Sequence, residues 1–570
     1  MLDLLKDLND SQKRAVMHIE GPLLVLAGAG SGKTRVITRR VAYMISKGIR
    51  PGTILAITFT NKAADEMSRR IRSLGVPMGA TVSTFHSFCA RLLREFAPQA
   101  HLPRDFVIYD QDDQLRCIKE VMKKLNISMS NFPPSTVQSV ISNAKNWLID
   151  AEQYAAQADD FYTKTIAKIY QAYQRVLAAA GAVDFDDLLL KVAYMMREHP
   201  DVRQLLSRRY RYILIDEYQD TNHAQYVIAH GIAMDHGNIC VTGDPDQSIY
   251  AWRGADINNI LEFESDYPDA TVIRLEKNYR STQPILTAAS KLIAHNRRRK
   301  RKDLIATRPG GTNVKVIRLD DEHAEANEVA QIVSYLHSKG LRYRDIAVFY
   351  RVNSLSRVLE EAFRRAGIPY QIARGVEFYN RKEIKDVLAY LRLIVNPDDD
   401  LSCRRIINTP PRGIGAVTVN RLAAAAEQKG ISLLKACREP ASAGLAKAAC
   451  AKVASFVKII DDLSARKDKP IPEIVEFVIQ RTGLDAAYKK GIDSKDPSAT
   501  ETSREALRNL DELITAAAEF QQENPEATLI DFLQQVSLVN DIDTIDPESG
   551  VVTFMRLHVA KGLEFPAVII

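Results

Sequence analysis

The chain has 570 residues, 46% hydrophobic and 26% charged, with a formal net charge of +6. It is too long for one core and should divide into about four domain-sized units. So small a net charge excludes a polycation that coats nucleic acid with its whole surface, so any such path must be local.

The cysteines (Cys89, Cys117, Cys240, Cys403, Cys437 and Cys450) are scattered without a C-x-x-C pair. That argues against a zinc or disulfide framework and for a reducing compartment. The N-terminal "MLDLLKDLND" lacks a signal-like apolar core. No apolar stretch approaches membrane-spanning length. A soluble, cytoplasmic protein with no membrane partner is expected.

In chain order, short apolar runs bounded by turns come first: "PLLVLAG", "TILAITFT", "RYILIDE", "NICVTGD" and "TVIRLEKN". They alternate with helical patterns, as buried parallel strands do. Residues 100–185 interrupt them with helical patterns such as "DQLRCIKEVMKKL". A second set, "NVKVIRL", "DIAVFYR", "MRLHV" and "PAVII", also reads as strands and is split by a helix-rich stretch over 378–549. The fold class is therefore α/β, with two parallel-sheet units that each carry a mostly helical insertion.

"LLVLAGAGSGKTRV" is an apolar strand, a glycine-rich turn and a helix start. Its glycines let backbone N–H groups close around phosphate oxygens at a helix N-terminus. Lys33 would reach the β- and γ-phosphates, and the Thr34 hydroxyl would ligate Mg²⁺. The loop comprises Ala27, Gly28, Ala29, Gly30, Ser31 and Gly32, with Ala27 where a first glycine is usual. In "ILIDEYQDT" a strand ends in Asp216 and Glu217, which would set one carboxylate near Mg²⁺ and another near an attacking water. Hydrolysis of a nucleoside triphosphate is the expected chemistry.

"FTNKAADEM", "TFHSF" and "SIYAWRGA" mix aromatic with polar and basic residues, a combination that holds single-stranded nucleic acid by stacking and phosphate contacts. "NRRRKRKD" sets Arg297, Arg298, Arg299, Lys300, Arg301 and Lys302 in a row. Two readings stand: a solvated loop, or a salt-sensitive grip on phosphates. In "TPPRGIGAVTVNRL", Gly413, Ile414 and Gly415 form a tight turn before a helix, which could offer N–H groups to a phosphate.

From "LNDSQKRAV" through "AGAGSGKTR", "AITFTNKAADEM", "TFHSF", "LIDEYQDT", "VTGDPDQSIYAWRGA" and "LEKNYRS" to "LHVAKGLEFPAVII", the ordered motifs resemble the UvrD/PcrA/Rep group of superfamily-one DNA helicases. The resemblance spans essentially the whole chain. It implies two RecA-like domains, the first over 1–100 and 186–280 with an insertion at 101–185. The second would cover 281–377 and 550–570, with a duplex-contacting insertion at 378–549. It also implies that Gln12 reads the adenine edge with Arg35 and Tyr279 around the base, and that Glu564 contacts the ribose. Gln247 would sense the γ-phosphate and Arg280 would act as an arginine finger, beside the catalytic Lys33, Asp216 and Glu217 and the metal ligands Thr34 and Asp216. Phe59, Asn61, His86, Tyr250, Trp252 and Arg253 would line the single strand, and Gly413, Ile414 and Gly415 would touch the duplex.

The activity so implied is an ATP- and Mg²⁺-dependent 3′-to-5′ single-stranded DNA translocase and helicase in repair or replication. It would work on single strands and single/double-strand junctions, with accessory proteins or self-association as further partners. The family continues beyond "KGLEFPAVII" with an arginine-bearing motif, so the second domain is expected to be incomplete. The competing expectation is a nucleotide- and DNA-binding fragment with little turnover.

Overall fold

The structure, a computed structural model, describes residues 4–300, 302–372, 375–493, 496–538 and 549–570. Arg301 of the basic run lies outside the described residues. The strands in chain order are β1 (Leu23–Ala27), β2 (Ile54–Thr58), β3 (Thr81–Thr84), β4 (Val107–Tyr109), β5 (Ala182–Asp184), β6 (Tyr212–Ile215) and β7 (Ile239–Gly243). They continue with β8 (Thr271–Leu275), β9 (Lys277–Thr282), β10 (Ile305–Arg308), β11 (Ile346–Tyr350), β12 (Tyr370–Ile372), β13 (Val552–Arg556) and β14 (Ala567–Ile569). Among the described residues no helix is long and apolar enough to cross a membrane.

The chain divides into two compact units. One runs to Phe85, resumes over His199–Val376 and includes the C-terminal strands; the other combines His86–Glu198 with the segment that begins at Glu377. In the first unit a parallel sheet has the order β3-β2-β6-β7-β1-β8. Such pairing requires crossovers; α1 (Asp10–Met17) precedes β1, whereas α2 (Lys33–Ser46) and α3 (Asn61–Ser73) are among the helices on the crossovers. Every residue of β1, β2, β6 and β7 is buried, which is why these strands read as unbroken apolar runs. Leu23, Val25 and Ala27 of β1 share a core with Val36, Ile37 and Val41 of α2. Burying each such Val, Leu or Ile side chain is worth about 1.5–3 kcal/mol.

A second parallel sheet of this unit has the order β12-β13-β11-β14. Ile346, Val348, Val552 and Phe554 pack there with Val329, Val333 and Phe363 of its helices. β9 and β10 form a separate parallel pair. "NVKVIRL", expected as a strand, carries no strand assignment, and its Val316 is 94% exposed. An apolar run becomes a strand only where another edge accepts its backbone groups, and no strand among the described residues pairs with this one.

The second unit is mostly helical, with one short parallel pair, β4 and β5, inside the stretch that reads as helical. The two helical insertions pack together in it. Arg392 pairs with Asp113, the Tyr109 hydroxyl donates to Asp399 at 2.7 Å, and the Asn396 amide donates to the Ala180 carbonyl at 2.7 Å. These are buried polar contacts between residues far apart in sequence. Period and propensity carry no information about them.

Candidate active site

Parallel strands bring their carboxyl ends to one edge of a sheet, and ligands gather outside that edge. β1 ends into the loop Gly28–Gly32, β2 into Phe59, β6 into Asp216 and Glu217, and β7 into Asp244–Gln247. Motifs far apart in sequence therefore meet on this edge of the first sheet.

The phosphate-type loop is shaped by backbone conformations that suit glycine. Gly30 and Gly32 have φ of +65° and +88°. A Cβ on Gly30 would lie 2.5 Å from the Arg280 Cβ, and one on Gly32 would lie 2.8 Å from the Gln12 amide nitrogen. The Ser31 hydroxyl donates to the Gly28 carbonyl at 2.7 Å, closing the loop on itself. Helix α2 starts at Lys33 with no side-chain cap, leaving its first N–H groups directed at the loop mouth. Ala27 is fully buried at the end of β1, where it supports the loop from beneath.

Lys33 is buried, and its ammonium donates to Glu217 Oε2 at 3.0 Å and Gln247 Oε1 at 3.5 Å. Burial works against its charge, but Glu217, Asp216 and Asp244 outweigh that penalty and raise its pKa above the ordinary lysine value. For Glu217 burial also opposes ionisation, yet Lys33 and Lys561 win and bring the carboxyl down to about 2. Asp216 moves the other way, because burial and the neighbouring Glu217 charge raise it against the pull of Lys33. Its oxygens accept from Thr34 Oγ1 at 3.2 Å, Thr242 Oγ1 at 2.6 Å and the Glu217 N–H at 3.0 Å.

Gln247 is held from both ends. Its Nε2 donates to Asp244 Oδ2 at 2.5 Å, which turns Oε1 toward Lys33, while Lys561 donates to its carbonyl at 2.9 Å. Lys561 also pairs with the buried Asp220. Arg280 Nε lies 2.7 Å from Glu564 Oε2, so these two expected site residues hold each other. The Tyr279 N–H donates to the Gly30 carbonyl at 2.9 Å, and the Asn278 amide donates to the Ala29 carbonyl at 2.5 Å. The half-exposed Tyr279 ring accepts from Asn9 at 2.8 Å through its hydroxyl. Arg35, in the first turn of α2, is half-buried. Gln12 differs from expectation. It is fully buried, its Oε1 accepts from the Asn9 N–H at 3.1 Å and its Nε2 donates to the Ser31 carbonyl at 2.9 Å. Here the amide braces the loop instead of presenting both of its groups to a base.

An aromatic surface adjoins Gln247 in the chain. Phe59 stacks on Tyr250 with centroids 4.7 Å apart. Trp252 is 67% exposed, and the Arg253 guanidinium lies 4.7 Å from its ring centroid. Tyr250, in contrast, is buried and donates to the His558 carbonyl, so in this arrangement it backs the surface rather than forming it. Asn61, the first residue of α3, is half-buried. In the other unit, His86 is half-buried with its ring edge-on to Phe185. Ile414 also departs from expectation. Its side chain is in the helical core, and its N–H donates to Asn408 Oδ1 at 3.1 Å, so neither is available to a phosphate. Gly413 and Gly415 on either side are exposed.

Residues 8–268 match the family model described as the UvrD/REP helicase N-terminal domain, and residues 273–570 match the UvrD-like helicase C-terminal domain. The chain belongs to the UvrD/Rep helicase family. Among its relatives, the protein named ATP-dependent DNA helicase PcrA from Staphylococcus epidermidis is 44% identical over 573 residues, covering 100% of this chain and 78% of its own length. The protein of that name from Bacillus subtilis is 44% identical over 577 residues, covering 99% of this chain and 77% of its own. The Staphylococcus aureus counterpart is 43% identical over 573 residues, covering 100% and 77%.

Several residues of this family member's site escape a sequence reading. Asn278 sits beside Tyr279 in "NYRS" and Lys561 opens "KGLEFP", so a buried polar role could have been sought at both. Gln219, fully buried, donates to Glu217 at 2.7 Å and accepts from the Asp244 N–H at 2.9 Å. It ties the acidic strand end to the Gln247 segment. Within "DEYQDT" the spacing alone gave no signal for it.

Proposed function

We propose that this chain is an ATP-dependent DNA helicase that moves 3′ to 5′ along single-stranded DNA and opens single/double-strand junctions in DNA repair or replication. One observation carries the reading: the buried Lys33 ammonium is shared between Glu217 and Gln247 at the mouth of a glycine loop, with Thr34 and Asp216 side by side. Lys33 and the α2 N-terminus bind the β- and γ-phosphates. Glu217, kept ionised by Lys33 and Lys561, holds and deprotonates the attacking water. Gln247 contacts the γ-phosphate, and Arg280 stabilises the charge that develops on it. Tyr279 stacks on the base, and Glu564 contacts the ribose.

The hard oxygens of Thr34 and Asp216, 3.2 Å apart, suit Mg²⁺, which takes few protein ligands and completes its shell with phosphates and water. Bound there, Mg²⁺ would offset phosphate charge. Trp252 and Arg253, on the same short segment as Gln247, supply stacking and charge for the strand, and Phe59 supports Tyr250 behind them. The sharing of one segment by nucleotide and strand contacts supports a motor whose grip changes with the nucleotide state. His86, Asn61, Gly413 and Gly415 are proposed as further strand or duplex contacts.

A second reading, nucleotide and DNA binding without useful turnover, draws on the Arg280–Glu564 pair, which keeps that guanidinium engaged. ATP hydrolysis by the purified chain with and without single-stranded DNA separates the two, beside a Lys33→Ala control. DNA-stimulated turnover abolished in the control supports the motor, whereas binding of both ligands without turnover supports the second reading. Duplexes with a 3′ or a 5′ tail then test direction, and unwinding from the 5′ tail would refute the proposed polarity.

A further inference from the structure

Two residues of the basic run, Arg299 and Lys302, lie against the acidic turn after β7. Lys302 Nζ pairs with Asp244 and lies 2.7 Å from Asp246 Oδ2, and Arg299 lies 2.9 Å from the same oxygen. The Lys302 side chain is only 5% exposed, and those of Asp244 and Asp246 are 3% and 9% exposed. Burying charges to this extent is costly unless they are paired, so Lys302 and Arg299 are not part of a solvated surface, whereas Arg297 and Arg298 are exposed. Lys300 with Glu264 and Arg298 with Asn258 are the more exposed contacts of the same run, of the kind that contributes little.

Asp244 links the run to the nucleotide site. One carboxylate oxygen pairs with Lys302 and accepts from the Asp246 N–H at 3.0 Å. The other accepts from Gln247 Nε2 at 2.5 Å. A glutamine amide can turn over and exchange its oxygen for its nitrogen. What keeps Oε1 facing Lys33 is an acceptor fixed behind Nε2, and Lys302 helps fix it. The other end of the arm bearing Lys302 is anchored on the phosphate loop, since Asn278 and Tyr279 donate to Ala29 and Gly30 and Leu304 lies against Gly28. The arm spans from the loop to the segment bearing Gln247.

We infer that Lys302 is a positioning residue for Gln247, acting through Asp244, and that the buried part of the basic run serves γ-phosphate recognition and not DNA binding. This rests on the nucleotide-site reading above. Three measurements on the full chain test it, using Lys302→Met, the conservative Lys302→Arg, Gln247→Ala and the double variant. The first is the preference for a fluorescent ATP analogue over its ADP counterpart, which needs no turnover. Lys302→Met should lose about tenfold or more of that preference with ADP affinity intact, the scale of a hydrogen bond to a charged group, and Lys302→Arg should restore most of it. The second is the double variant, which should be no worse than Gln247→Ala alone, because both changes remove one interaction.

The third is the salt dependence of single-stranded DNA affinity, which should keep its slope in Lys302→Met. A slope reduced by about 0.7, the signature of one lost phosphate contact on a single strand, would overturn the inference. So would additive effects in the double variant, or an unchanged ATP preference. A wild-type chain that prefers ATP but does not turn it over would count against the proposed motor while leaving the Lys302 result readable.

Discussion

Trp252→Ala should weaken single-stranded DNA binding while leaving the fold intact. The ring is 67% exposed: Tyr250 and His558 lie beside it at 6.4 Å and 6.2 Å between centroids, the Arg253 guanidinium lies over one face at 4.7 Å, and the other face is left for a base. Little packing is therefore lost, and the expected stability change is below about 1 kcal/mol. A base stacked on the open face is worth about 1–3 kcal/mol, so affinity should fall by about fivefold to about 150-fold. Because the ring carries no charge, the slope of log affinity against log salt should not change. Arg253→Ala is the contrasting variant, in which loss of a phosphate contact should reduce that slope by about 0.7. Fluorescence anisotropy with a labelled oligonucleotide across a salt series measures both effects, and a denaturant titration checks the fold. Unchanged affinity, or a loss that tracks a drop in stability, would refute the assignment of this ring to the strand.

Glu217→Gln should cut the ATPase rate by about 10²–10⁴ while ATP still binds, because Lys33 is released from its 3.0 Å pair to face the phosphates; single-turnover hydrolysis alongside equilibrium binding reads both. Arg392→Met should destabilise the helical unit by about 3–5 kcal/mol, since it strands the buried Asp113 carboxylate. Burial already raises the Asp113 pKa against the pull of Arg392. A carboxyl whose folded pKa lies above its unfolded value destabilises at neutral pH, and the penalty is relieved as pH falls from the folded pKa toward the unfolded one. The stability gap between variant and wild type should therefore narrow in acid, as urea titrations at neutral and mildly acidic pH would show; a gap that widens on acidification would exclude this account.

Much of the candidate site was legible because it is built from contiguous residues. A buried strand, a turn with positive φ at Gly30 and Gly32 and the start of α2 follow one another within a few residues, and local sterics impose that order. Likewise "ILIDE" needed only an apolar run and the acids after it. The parallel strands were readable because burial on both faces removes polar alternation. The amide of Gln12 looked available to a ligand, but its oxygen and its nitrogen each already have one internal partner, Asn9 three residues back and Ser31 on the glycine loop.

Tertiary structure decided what depended on distant partners. Residues 313–319 have the composition of a strand, but strand formation requires a neighbouring edge that no local pattern specifies. The run at 297–302 has the composition of a polyanion grip, yet Lys302 is spent on Asp244 and Asp246, 58 and 56 residues away in the chain. Lys561 and Asp220 meet across 341 residues. The sequence by itself determined the glycine loop between β1 and α2, the acidic strand end and the parallel α/β class, because backbone sterics and two-sided burial act within a few residues. Which charges are consumed inside the protein and which remain for a ligand was decided only on folding, because the field at each group comes from whatever the sheet edge brings beside it.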